Sequence, residues 1–214
     1  MAEHVTSAGE HLLGALNQAR HHSQPFNYWL LDDILPEDLI DGIAALPFAP
    51  PGASVLDGRR ESNNSTRVYF TPENQKKFAV CRDTAEAFGS DAVVNRIEEL
   101  TDAHLNGARL RIEYCQDVDG FWLEPHVDIA VKRFTMLVYL SGESDLAAAG
   151  TDIYDASPEH NLVASAPYEK NKGLIFIPGA DTWHGFSRRP IAGVRKSIII
   201  NWVAPEWRDT WELC

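Results

Sequence analysis

The chain has 214 residues, 44% hydrophobic and 23% charged, with 31 acidic against 19 basic side chains and a formal charge of −12. That length holds one sizeable core and is short for two domains, and no apolar run approaches the ~20 residues that cross a bilayer. The acid excess argues against a duplex nucleic-acid partner, which needs clustered Lys and Arg.

The first residues lack the charged-then-apolar layout of a secretory signal. Cys81, Cys115 and Cys214 are odd in number and widely spaced, so no disulfide framework and a cytoplasmic setting are expected. Residues 8–20 carry apolar positions at helical spacing. Pro36, followed by Glu37, Asp38 and Leu39, opens a second helix, because proline suits the first turn and acids suit the N-terminal dipole. Pro47, Pro50 and Pro51 enforce a loop. The stretch NNSTRVYF (63–70) is strand-like, with Asn64, Arg67 and Tyr69 as polar groups that either face a substrate or are surface. Thr71-Pro72-Glu73 starts a helix running through ENQKKFAVCRDTAEAF. Ser90 is expected to cap the next, with Val93, Ile97 and Leu100 on its stripe.

From residue 109 the period changes to two. Leu110, Ile112 and Tyr114 alternate with Arg109, Arg111 and Glu113, which predicts a half-buried strand. FTMLVYL, TDIYD, NLVAS, LIFIP and SIIINWV follow, with no helix between them long enough for a parallel crossover. The expected class is α+β with a mainly β, antiparallel jelly-roll core at about 109–203. A helical part (about 1–108) would buttress it, and a tail (204–214) would dock on its own domain or on a twin subunit. The pairs Arg59-Arg60, Lys132-Arg133 and Arg188-Arg189 read mostly as solvated surface, and Asp152 as the end of a turn. Trp122 would line the pocket mouth or pack beneath it.

His126, Asp128 and the distant His184 carry the chemistry. Two imidazoles and a carboxylate on one face of a first-row ion leave positions open for exogenous ligands, although zinc accepts the same donors. On a strand, Arg195 and Ser197 would emerge from one face and make a socket for a carboxylate.

EPHVD (124–128), FTMLVYLS (134–141), AGTD (149–152), GLIFIPGADTWHGF (173–186) and GVRKSIIINW (193–202), in this order, resemble the Fe(II)/2-oxoglutarate-dependent dioxygenases, particularly their prolyl-hydroxylase-like branch. The resemblance covers roughly residues 109 to 203. It implies a double-stranded β-helix with Fe(II) on His126, Asp128 and His184. It also implies 2-oxoglutarate as cosubstrate, dioxygen, and ascorbate as a stimulant. Arg195 and Ser197 match the anchor for the far carboxylate of 2-oxoglutarate. The face of Thr135, Leu137 and Tyr139 would look toward the cosubstrate, Tyr139 donating its hydroxyl and Tyr114 standing as a second candidate. Leu137, Ile175 and Ile199 would wall the pocket. Related halogenases have a small residue in place of Asp128, so the carboxylate points to hydroxylation. AGTD departs from the two glycines and an apolar residue of many relatives.

The implied activity is hydroxylation of a C–H bond in a small molecule or peptidyl substrate, with release of succinate and CO2. No nucleic acid or membrane is expected as a partner, and the enzyme would be a monomer or homodimer. Two alternatives use the same pattern. One is a cupin-like metalloenzyme (isomerase or hydrolase) without a keto acid; the other is a non-catalytic jelly-roll binding module.

Overall fold

The computed structural model describes residues 2–52, 58–59, 66–142 and 146–214, with side chains from Ala8 onward. Asn64 and Arg60 lie outside the described residues. Helix α1 (Ala2–Asn17) leads into strands β1 (Arg20–His22) and β2 (Tyr28–Leu31), then α2 (Glu37–Ala44) and β3 (Val68–Tyr69). Next come α3 (Pro72–Lys77), α4 (Ala79–Gly89) and α5 (Asp91–Thr101). The remaining strands are β4 (Arg109–Asp117), β5 (Leu123–His126), β6 (Lys132–Tyr139), β7 (Asp152–Tyr154), β8 (Leu162–Ser165), β9 (Gly173–Phe176), β10 (His184–Phe186) and β11 (Arg195–Val203).

Two antiparallel sheets form a jelly roll: seven strands in the order β1-β2-β9-β6-β11-β4-β3, and four in the order β5-β10-β7-β8. No helix is long and apolar enough to cross a membrane among the described residues.

Period-two alternation divides the large sheet into two faces. Leu110, Ile112 and Tyr114 of β4 join Phe134, Met136 and Val138 of β6 and Ile198, Ile200 and Trp202 of β11 in a core shared with the helices. Leu12 and Leu16 of α1, Ile40 and Ile43 of α2, Phe88 of α4 and Ile97 of α5 close that core. Fully burying one such aliphatic or aromatic side chain stabilises by roughly 1.5–3 kcal/mol. The opposite face looks toward the small sheet, where Leu137, Tyr139, Ile153, Leu174, Phe176 and Phe186 form a second core.

The helical half differs from expectation in three places. Residues 20–31 form two strands that extend the large sheet through β9. The helix started by Thr71, whose hydroxyl accepts from the Asn74 N–H at 3.3 Å, breaks at Phe78, where the backbone is extended and the ring packs against Phe48. Ser90 precedes α5 but donates back to the Ala87 carbonyl at 2.9 Å and so does not cap it.

The tail packs on its own domain. Cys214 N–H donates to the Leu110 carbonyl at 3.0 Å, and Glu212 accepts from Arg111 Nε at 2.5 Å. Beside β7 the backbones run close: a Cβ at Gly150 would lie 1.6 Å from the Ala166 carbonyl oxygen. Gly150→Ala is therefore expected to cost about 3 kcal/mol or more, since backbone cannot rotate aside; chemical denaturation checks this.

Candidate metal centre

His126 ends β5 and His184 begins β10, and the antiparallel register places them directly opposite each other. Their rings lie 4.4 Å apart, centre to centre. Asp128 follows in the turn toward β6, and one ligand atom from each of the three residues lies within 4.8 Å of the others. The Nδ1 of His126 sits 2.8 Å from the Glu124 carbonyl and that of His184 2.9 Å from the Thr182 carbonyl. Those contacts favour protonated Nδ1 and leave both Nε2 lone pairs for an ion. Burial, with His126 beside it, pushes the His184 pKa down to about 3, so the ring is neutral near pH 7, as a ligand must be. The donor set and its tautomers fit a divalent first-row metal.

The carboxylate is held from two sides. Lys132 Nζ donates to Asp128 Oδ1 at 2.5 Å and Thr135 Oγ1 to Oδ2 at 2.8 Å. Thr135 in turn accepts from Asn201 Nδ2 at 2.9 Å, and Asn201 Oδ1 from Arg111 Nη1 at 3.2 Å. Arg111 also donates to Glu113, so a line of hydrogen bonds runs from the tail's Glu212 to the proposed ligand. Thr135→Val keeps the side chain's shape and removes that donor. Metal affinity should fall about 10-fold, the scale of losing a group that orients a ligand, as Mn(II) titration would read.

The same pocket is lined by Arg67, Asp117, Phe121, Leu137, Arg195 and Ser197. Register explains the company: Arg195 pairs with Asp117 and Ser197 with Cys115 across β11 and β4. Arg195, only 5% exposed, donates from Nε to the Ala149 carbonyl at 2.7 Å and from Nη1 to Asp117 Oδ2 at 2.6 Å. Burial works against its charge, but Asp117, with Tyr139 and Tyr168 beside it, raises its pKa overall. The fully buried Ser197 Oγ has no hydrogen-bond partner among the described residues. An unpaired hydroxyl beside a guanidinium in a cavity is a ready acceptor-binding corner.

The other expected residues separate. Tyr114 lies on the helix-facing side of β4, its hydroxyl 3.5 Å from the Ala44 carbonyl, and burial pushes its pKa up to about 12; it does not enter the pocket. Tyr139 points toward the small sheet, but its hydroxyl donates to Thr151 Oγ1 at 3.0 Å and accepts from Thr151 N–H at 3.1 Å. It packs near Arg195 rather than offering a free donor. Leu137 and Ile199 line the pocket, whereas Ile175 faces the helical core.

Trp122 packs against the Gly58 segment and under Arg188, 4.3 Å from its ring centre; its neighbours Phe121 and Leu123 are the ones that line the cavity. Asp152 is buried within β7 and does not end a turn. It accepts from Ser187 N–H, Ser187 Oγ, Ser165 Oγ and both Arg189 terminal nitrogens. Burial alone would raise its pKa, but these donors, Arg189 first, hold it below the ordinary carboxylate range. Arg189 and Lys132 are thereby partners of buried acids rather than solvated surface. Two pocket residues carried little weight in the sequence, Arg67 and Asp117. The only hint was the alternation Arg67-Val68-Tyr69, which puts Arg67 and Tyr69 on one face.

No family model matches the sequence, and no curated protein matches it. Solved structures do. A Pseudomonas putida prolyl-4-hydroxylase superposes with a TM-score of 0.59 at 14% identity, covering 91% of this chain and 93% of that one. A Trichoplax adhaerens prolyl hydroxylase, in complex with a hypoxia inducible factor oxygen degradation domain peptide fragment, gives 0.57 at 12%, covering 94% and 91%. A prolyl 4-hydroxylase from Phytophthora capsici gives 0.57 at 12%, covering 96% of this chain and 66% of that one. At these identities the likeness is one of fold: the chain has the double-stranded β-helix of the prolyl hydroxylases.

Proposed function

We propose that this protein is an Fe(II)- and 2-oxoglutarate-dependent dioxygenase that hydroxylates a C–H bond of a peptidyl or small-molecule substrate. The observation that carries this reading is a single pocket lined by the His126, Asp128 and His184 cluster and by Arg195 with the unpartnered Ser197 hydroxyl. His126, Asp128 and His184 would hold the ion, with Thr135 and Lys132 fixing the carboxylate. Arg195 and Ser197 would hold the far carboxylate of the keto acid, so that it enters in one orientation. A ferrous ion in this setting supplies dioxygen activation coupled to decarboxylation of the keto acid to succinate and CO2. Leu137, Ile199 and Phe186 supply apolar wall to the pocket, and fixed charges act more strongly beside such a wall than in water.

The charges support a dication and a dianion together. Arg67, Arg111, Lys132 and Arg195 are matched by Glu113, Asp117, Asp128 and Glu212 around the site. This set is neutral by itself and is neutral again with metal and dicarboxylate both bound, whereas either one alone would leave two uncompensated charges. The peptide held by the Trichoplax neighbour supports a peptidyl substrate.

The test is succinate release from 2-oxoglutarate by purified protein, with and without Fe(II), under air. Iron-dependent succinate is the expected result. A protein that binds iron but forms no succinate, with or without added peptides, would favour a cupin-like metalloenzyme instead.

A further inference from the structure

We propose that Arg67 is a second anchoring guanidinium for the far carboxylate of the keto acid, which makes the cosubstrate site depend on a residue ahead of the jelly-roll core. This rests on the 2-oxoglutarate reading above.

Three observations carry it. Arg67 stands just before β3, and β3 pairs with β4 so that Val68 faces Tyr114 and Tyr69 faces Glu113. Alternation then points Arg67 to the pocket side of the sheet. The side chain is 6% exposed and lines the pocket with Arg195 and Ser197. Second, Asp117 is shared: its Oδ1 accepts from Arg67 Nη1 at 2.7 Å and its Oδ2 from Arg195 Nη1 at 2.6 Å. Two buried cations therefore divide one carboxylate. The nearby Glu113 gives its Oε2 to Arg111 at 3.0 Å. Third, that bond to Asp117 is the one side-chain hydrogen bond Arg67 makes among the described residues, and the Ser197 hydroxyl makes none.

A guanidinium that lines a cavity can turn the donors beyond its bond to Asp117 toward an anion that enters there. A second carboxylate placed against Ser197 and between the two guanidiniums would complete the set, with Asp117 as the strut holding them apart. Arg195 alone cannot offer its whole fork, because Nε and Nη1 are already engaged with Ala149 and Asp117. The missing donors come from Arg67.

The experiment compares two keto acids on Mn(II)-loaded protein by calorimetric titration: 2-oxoglutarate, and 2-oxobutyrate, which lacks the far carboxylate. Arg67→Met should weaken 2-oxoglutarate about 10- to 100-fold, the scale of a lost charge-assisted hydrogen bond. Mn(II) and 2-oxobutyrate affinities should stay within about 2-fold, the ordinary spread for a site left intact. Arg67→Lys keeps the charge beside Asp117 if the Met variant fails to fold, and should show a smaller loss confined to 2-oxoglutarate. Unchanged 2-oxoglutarate affinity in either folded variant, or equal loss of both keto acids, would overturn the assignment. Wild-type protein that binds neither acid would instead overturn the 2-oxoglutarate reading beneath it.

Discussion

His126→Ala should lose divalent-metal binding by more than about 100-fold, since a ligand counts for more than the 10- to 100-fold typical of the groups around it. Iron-dependent succinate formation should vanish with it. His126 is the cleaner of the two histidines to remove. It is half-buried at the end of a short strand, and its Nδ1 lies 2.8 Å from the carbonyl of Glu124, two residues away. Stability should therefore change by less than about 1 kcal/mol, as for most substitutions away from a core. His184→Ala removes a buried ring packed 4.5 Å from Phe176, so lost metal and lost packing would be confounded. Mn(II) titration beside a denaturant curve separates the two effects. A folded His126→Ala protein with wild-type metal affinity would contradict the ligand assignment.

Arg195→Met should weaken 2-oxoglutarate binding about 100-fold or more, because it deletes the charge-assisted anchor for one carboxylate. It should also destabilise the fold by about 3 kcal/mol, the cost of breaking a buried ion pair by removing one partner. Asp117 would keep only Arg67, and the Ala149 carbonyl would lose its donor. Arg195→Lys keeps a cation beside Asp117 without the planar fork, so stability should partly recover while the keto acid stays weakly bound. Recovery of both to wild-type values would mean that charge beside Asp117, and not the fork, is what the keto acid needs. Denaturation and calorimetry on the two variants give the answer.

The jelly roll was legible because its long strands alternate. Ile198, Ile200 and Trp202 against Arg195, Ser197 and Asn201 is a pattern that one buried and one pocket-facing surface produce. The same alternation misled on β4. Arg111 and Glu113 read as the exposed face of a half-buried strand, yet they are 2% and 0% exposed, because the second sheet and the tail cover that face. Tyr114 fell with Leu110 and Ile112 on the helix side, as the period implied, so its candidacy rested on the resemblance alone.

What stayed hidden lacks a local signal. Strands β1 and β3 are three and two residues long, too short to show a period. Arg67 meets Asp117 across 50 positions of sequence. The break at Phe78 comes from tertiary packing on Phe48, which overrides a helical stretch. Asp152 looked like a turn residue because its ring of donors comes from β8 and from residues beyond β10.

The central claim is that one ion, held by His126, Asp128 and His184, shares a pocket with a keto diacid. The most direct measurement is the affinity for 2-oxoglutarate with and without Mn(II), in wild-type protein and in His126→Ala. The account requires binding at least about 10-fold tighter with metal in the wild type, and reciprocal tightening of the metal by the acid. That coupling should be absent in the variant. Equal affinity with and without metal in the wild type would contradict it.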